Sequence, residues 1–240
     1  MRNALLFVFL AAAGCATGFD RGSLARELDD VPQQVSDADI EHNLSLRPMA
    51  KLPLRLGIYL SPYAGPGGGM WTEADKQKLL SLREDVKRSG LAADVFFISG
   101  LTVEPGATAT ELKRIRLAAA RHGADAVLVV KAAVQVDDYV NPLSLLYLTI
   151  VGLWVVPGTH YDALFLVRGG LWDVRNEYLY MTAEAEGIGK RVGTPLWVRS
   201  RGAVDEARES AIKDFQEELR KRMNTLASDP RIPLESPRIR

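Results

Sequence analysis

Five consecutive apolar residues, Ala126-Val127-Leu128-Val129-Val130, constrain the fold of this 240-residue chain more than any other segment. Alternate residues of a strand face opposite sides, so an unbroken apolar run describes a strand buried on both faces, with a layer packed on each. Its neighbours supply those layers. Leu54-Arg55-Leu56-Gly57-Ile58-Tyr59-Leu60 alternates like a strand between Pro53 and Pro62. Thr72-Glu73-Ala74-Asp75 resembles a capping box, opening a helix that places Leu79, Leu82 and Val86 on one face and stops at Gly90. A strand over Asp94–Ile98 follows, then a helix from Thr110 to His122 with Leu112, Ile115 and Ala119 inward and Gly123 as its stop. The polar continuation through Gln135, Asp137 and Asp138 carries the Ala126 strand into solvent.

Beyond an apolar insert at 142–158, Ala163–Val174 and Glu177–Gly187 read as two strands joined by a turn at Arg175-Asn176. A last helix from Ala203 to Ala227 lines up Val204, Ala207, Ala211, Phe215, Leu219 and Leu226. The expectation is an α/β (α+β) fold: a mixed sheet of about five strands with three helices, in the order β-α-β-α-β-(apolar insert)-β-β-α. One domain over 52–227 accommodates it.

The N-terminus sets the compartment. One charge at Arg2, the apolar stretch Ala4–Ala12 and the small residues Ala13-Gly14 precede the single cysteine, Cys15. Residues 1–14 read as a secretory signal, because a bilayer span needs about 20 apolar residues. Ala-Ala-Gly-Cys looks like the lipobox of a bacterial lipoprotein, with Ala12 where Leu is commonest. Cleavage before Cys15, followed by acylation of its thiol and amino group, gives a stable anchor, since several chains hold where one does not. Residue Ala16 is not the Asp of an inner-membrane retention signal, so an outer-membrane address facing the periplasm is expected. Residues 15–51, polar and interrupted by Pro32 and Pro48, read as a tether, and the proline-rich 228–240 as an extended tail. A lone cysteine makes no internal disulfide. With 30 Lys plus Arg against 30 Asp plus Glu, the chain lacks the basic excess of a nucleic-acid binder.

Catalytic signals are weak. His42, His122 and His160 fall in the tether, at a helix end and in a turn, outside any nucleophile motif. The Gly65–Gly69 loop precedes a helix but lacks the Gly-Lys-Ser/Thr of a phosphate loop. Asp137-Asp138 and the pair Glu184 and Glu186, which share a strand face, could hold a proton or a cation, yet show no third ligand. No metal or cofactor is expected, and a carboxylate-dependent hydrolase built on Glu184 and Glu186 is the weakest of three functional readings. The main functional clue is the insert LSLLYLTIVGLWVV. As a helix it would measure about 21 Å, too short for a hydrocarbon core of about 30 Å. It is either an element buried under the sheet or helices, or a partner-binding or membrane-dipping surface centred on Leu153, Trp154 and Val155.

The segments LPLRLGIYLSP, ARHGADAVLVV, YLTIVGLWVVPGTHYDA and GLWDVRNEYLYMTAEAEG resemble the rhombotail, or rhombotarget, lipoprotein family over about residues 52–226. The most specific part runs from Ile150-Val151-Gly152 to Pro157-Gly158 and Asp162. Members of that family often end in a Gly-Gly tail, a hydrophobic span and a basic cluster read by a rhomboid-type sorting protease. No such tail precedes Arg240, so that processing is not carried over. The element order is more loosely similar to the curli secretion lipoprotein and to the N-terminal domain of the Tol-Pal translocation protein. The resemblance implies an envelope lipoprotein with no assigned activity. The expected role is therefore a lipid-anchored, non-enzymatic domain that binds or scaffolds envelope proteins; the alternative is a self-associating subunit of an envelope assembly.

Overall fold

The computed structural model describes residues 18–28, 36–63, 71–103 and 111–234. The signal segment, Cys15 and the Gly65–Gly69 loop lie outside them. Five strands, β1 (Leu54–Leu60), β2 (Ala92–Phe97), β3 (Ala126–Val140), β4 (Thr159–Asp173) and β5 (Leu179–Gly193), form one mixed sheet in the order β2-β1-β3-β4-β5. β1 runs parallel to β2 and β3, whereas β4 and β5 add antiparallel ribbons. The α/β expectation and its five-stranded mixed sheet are observed.

Helices cover both faces. α1 (Arg21–Leu28) and α2 (Asp37–Ser45) precede β1; α3 (Glu73–Leu80) and α4 (Leu82–Arg88) connect β1 to β2; α5 (Glu111–Arg121) connects β2 to β3. α6 (Ile150–Val155) lies in the insert, and α7 (Ser200–Ala227) closes the domain. The β3 run is buried on both sides as its pattern requires. Ala126, Leu128 and Val130 join the larger core with Leu79, Val86, Phe215 and Leu219, while Val127 and Val129 pack with Ile115, Ala118 and Ala119 of α5. Gly90 and Gly123 take positive φ values of 75° and 69°, which side-chain-bearing residues rarely adopt, and so end α4 and α5.

Where one helix is expected over 72–90, two occur. The Thr72–Asp75 capping box forms as read, but the Ser81 hydroxyl donates to the Lys78 carbonyl at 2.6 Å, and the Gln216 amide of α7 donates to the same carbonyl. These side-chain donors compete for the Lys78 carbonyl, and the regular helix is interrupted at Ser81, whose backbone stays right-handed.

Two further expectations need correction. The described part of the tether holds α1 and α2, and α1 buries Leu24 and Leu28 against Ala133, Leu164 and Leu166. Two leucines one turn apart suffice because the sheet supplies the rest of the apolar surface. The tail is docked as far as Leu234: Ile232 is buried in the main core, and the Leu52 amide donates to the Pro233 carbonyl at 2.9 Å.

α1 is also clasped electrostatically. Arg21 makes two hydrogen bonds to Glu186 of β5, at 2.9 and 3.1 Å, and these hold the Glu186 carboxyl below its usual range. A carboxylate whose pKa is depressed by folding stabilises the fold above its unfolded pKa, and that contribution disappears as pH falls through the depressed value. Glu186→Gln should therefore cause a small loss of stability to urea at neutral pH. The gap to the native chain should close on acidification. The loss stays small because the pair is exposed.

Candidate interaction surface

Between β3 and β4 the chain leaves the sheet and returns to it, with Val140 and Thr159 paired at the base. Asn141 starts the excursion. Its side-chain oxygen accepts from the Leu143 amide at 3.0 Å, capping a 3₁₀ helix over Pro142–Leu148 that begins with a proline free of any need to donate. Thr149 then caps α6 by accepting from the Gly152 amide at 3.0 Å. A Cβ on Gly152 would fall 1.8 Å from the Leu146 carbonyl oxygen, so only glycine lets α6 fold back on the 3₁₀ turn. The Tyr147 hydroxyl closes the base, accepting from the Gly158 amide at 2.7 Å and contacting Thr159 Oγ1 at 3.1 Å. Internal hydrogen bonds thus give the projection a defined shape.

Its side chains face outward. The reading of the insert as a buried element is overturned: Leu148, Ile150 and Val151 are 90%, 80% and 71% exposed, and Trp154 and Val155 are also exposed, with Leu153 half-buried. Hydrophobicity marks burial only where another apolar layer is within reach, and here the strand ends carry the segment past the sheet. Trp154 meets Trp197, from the β5–α7 connection, edge to face at 5.9 Å between centroids. Leu196 and Trp197 are exposed as well, so two stretches distant in sequence form one apolar surface. Residues 142–161 contain no Asp, Glu, Lys or Arg. The remaining tryptophans serve the interior: Trp71 is buried beside Tyr63 and Phe165, and Trp172 packs over α5.

The other candidates are accounted for by structural contacts. Glu184 and Glu186 do share a face of β5, but each is held by its own arginine, Glu184 by Arg168 at 2.9 Å and Glu186 by Arg21 at 2.9 Å. Asp137 accepts from the Gly18 amide at 3.0 Å. His122 Nδ1 lies 2.9 Å from the Ala118 carbonyl at the end of α5, and His160 stacks on Tyr139 at 4.9 Å beside Asn141. A cavity of about 550 Å³ opens between α1 and α5 over β3 and β4, with Leu28, Ile115 and Trp172 in its walls. Its charges are paired, Lys131 with Glu111 at 3.5 Å and Arg168 with Glu184. Among the described residues no group of three or more His, Cys, Asp or Glu is arranged to hold a metal ion. No described helix is long and apolar enough to cross a membrane.

No family model matches the chain, and neither does any curated protein. Among solved structures it is similar to a dodecamer of a PelC variant from Paraburkholderia phytofirmans, at 15% identity over 77% of this chain and 96% of that one, with a TM-score of 0.33. Protein XCC0632 from Xanthomonas campestris is similar at 12% identity over 75% of this chain and 91% of that one, TM-score 0.31. Lipoprotein GNA1162 from Neisseria meningitidis is similar at 13% identity over 68% and 99%, TM-score 0.31. Likenesses this distant concern chain architecture and carry no assignment of function.

Proposed function

We propose that the protein is a lipid-anchored component of the bacterial envelope, acylated at Cys15 and facing the periplasm from the outer membrane, which works by contact rather than catalysis. One observation carries the contact reading: an ordered, uncharged projection presents Trp154, Val155 and the edge of Leu153 to its surroundings, joined by Trp197. Exposed apolar surface on an internally braced element is retained at a cost in solubility, and a binding surface accounts for it. Envelope proteins bound by a tethered domain are the first reading of its role, and self-association in an assembly the second.

The anchor is tested by labelling cells with palmitate. The native chain should incorporate label and Cys15→Ala should not; label on the variant would overturn acylation at Cys15. The native mass of the lipidated protein in mild detergent separates the two roles. A closed ring of defined subunit number supports the assembly, because symmetric oligomers require a dedicated interface, and a monomer supports the tethered binding domain.

A further inference from the structure

We propose that the projection over residues 142–157, with Leu196 and Trp197, enters the interface of the bilayer that holds the acylated Cys15, so that the contact made by this surface is with lipid and not with a protein; this rests on the lipid-anchored part of the reading above and replaces its protein partner at this surface. Chain direction and chain length carry the argument. Gly18 is hydrogen-bonded to Asp137, α1 then packs Leu24 on Ala133 and Leu164, and Leu28 reaches the cavity beside Val129 and Lys131. α1 therefore runs antiparallel to β3, and its N-terminal side, at Gly18, stands towards the end of β3 that leads into the projection. Three residue steps separate Gly18 from Cys15, and at no more than about 3.6 Å each they reach about 11 Å. Asn141 stands four residues beyond Asp137 along β3, about 13 Å at strand rise. A lipid on Cys15 is thus confined to the end of the molecule that carries the exposed apolar side chains. Both meet one surface.

The chemistry of that end fits a bilayer interface. The 3₁₀ helix and α6 are too short to span, but their leucines, isoleucine and valines can enter the acyl boundary to a depth of about 5–10 Å, as interfacial elements do. Trp154 and Trp197 are the residue type enriched at headgroup depth, where an apolar ring body and a polar N–H both find partners. Arg199 and Arg201, two and four residues after Trp197, are exposed and bring positive charge near the apolar surface, the sign that lipid phosphates attract. A patch for a protein partner would not need to sit beside the lipid attachment point. A second anchoring element does need to, since its contribution adds to that of the acyl chains only when both reach the membrane together.

The test uses the lipidated full chain in phosphatidylcholine–phosphatidylglycerol vesicles, with and without brominated acyl chains, and reads tryptophan emission. Bromine quenches only at close approach; Trp71 is buried and Trp172 is half-buried in the wall of the cavity over β3 and β4, and both remain in the double variant, whose emission gives the background. Brominated lipid should lower the emission of the native chain. The double variant Trp154→Phe, Trp197→Phe, which keeps the apolar surface, should lose that quenching while retaining its circular dichroism and vesicle binding. Equal emission of the native chain in both vesicle types would overturn the proposal, as would equal quenching in native and double-variant proteins. So would a detergent-stable oligomer dissolved by Ile150→Asp whose emission ignores bromine, which would assign the surface to a second copy. Palmitate labelling of the same samples reads the anchor separately. Quenching without palmitate on Cys15 supports the wedge and removes the anchor, whereas palmitate without quenching overturns the wedge alone.

Discussion

Asp173→Ala should lower the unfolding free energy by about 3–5 kcal/mol, because removing one buried acceptor strands several neutral donors at about 1–3 kcal/mol for each that stays unsatisfied. Asp173 ends β4 with no exposed surface and gathers four donors. Its Oδ2 accepts from the Met49 and Ala50 amides, each at 2.9 Å, and from the Tyr180 hydroxyl at 2.6 Å; its Oδ1 accepts from the Arg175 amide at 2.8 Å. Three segments are thereby tied together: the chain entering β1, the end of β4 and the start of β5. Burial, followed by the bond to Asp173, pushes the Tyr180 hydroxyl well above the usual phenol range, so it remains a donor at any ordinary pH. Alanine leaves these donors facing a dry void, and desolvated donors without acceptors are the costly outcome. Urea unfolding followed by circular dichroism should show the midpoint fall with little change in slope. Tyr180→Phe, which removes one donor and strands no charge-bearing group beyond recovery, should cost only about 1 kcal/mol. Equal losses for the two variants would show that the carboxylate is not the organising group.

Gly187→Val and Gly189→Val should each cost about 3 kcal/mol or more, at or beyond the upper end for overpacked cores. β5 meets α7 at these two residues. A Cβ on Gly187 would stand 2.1 Å from the Ala207 carbonyl oxygen and 2.5 Å from the Ala211 amide nitrogen; on Gly189 it would stand 2.0 Å from the Ala203 carbonyl oxygen. The obstructing atoms are backbone, so no rotamer change relieves them and the helix itself must move. Moving it opens the interface that buries Phe215, Leu219 and Met223. Gly193→Ala is the control, because its Cβ would meet only the Val198 side chain, at 3.0 Å. Differential scanning calorimetry should place the first two variants far below the native chain and the third close to it. Native-like melting of Gly187→Val would show that the helix rides higher on the sheet than described.

Most of the fold was legible where local chemistry and tertiary role agree. The double-faced run of β3, the Thr72–Asp75 box, the Gly90 and Gly123 stops and the apolar stripe of α7 all appear as read. Legibility failed where the deciding partner lay far along the chain. α1 has only Leu24 and Leu28 to mark it, and its docking depends on Leu164, Leu166 and Glu186, which no local pattern announces. The break at Ser81 depends on Gln216 in the same way. For the projection the failure was of another kind: a strongly apolar sequence fits burial and exposure equally well, and only the overrun of β3 past β1, which ends opposite Val130, decides. Of the residues named for the surface alternative, Trp154 and Val155 are exposed and Leu153 is half-buried, and no local pattern links Trp197 to them.

The pairing of Leu52 with Leu234 has a consequence for when, rather than how, this chain folds. The first strand's entrance is sealed by almost the last described residues, and α7, which covers the larger sheet face, arrives only just before them. A chain threaded through a membrane from its N-terminus cannot complete this core while its last stretch is still in transit. The α7 face of the sheet stays uncovered until then, so closure waits on release at the far side. For a chain exported as proposed above, topology alone would keep the polypeptide loose during transit and let it lock once transit is over.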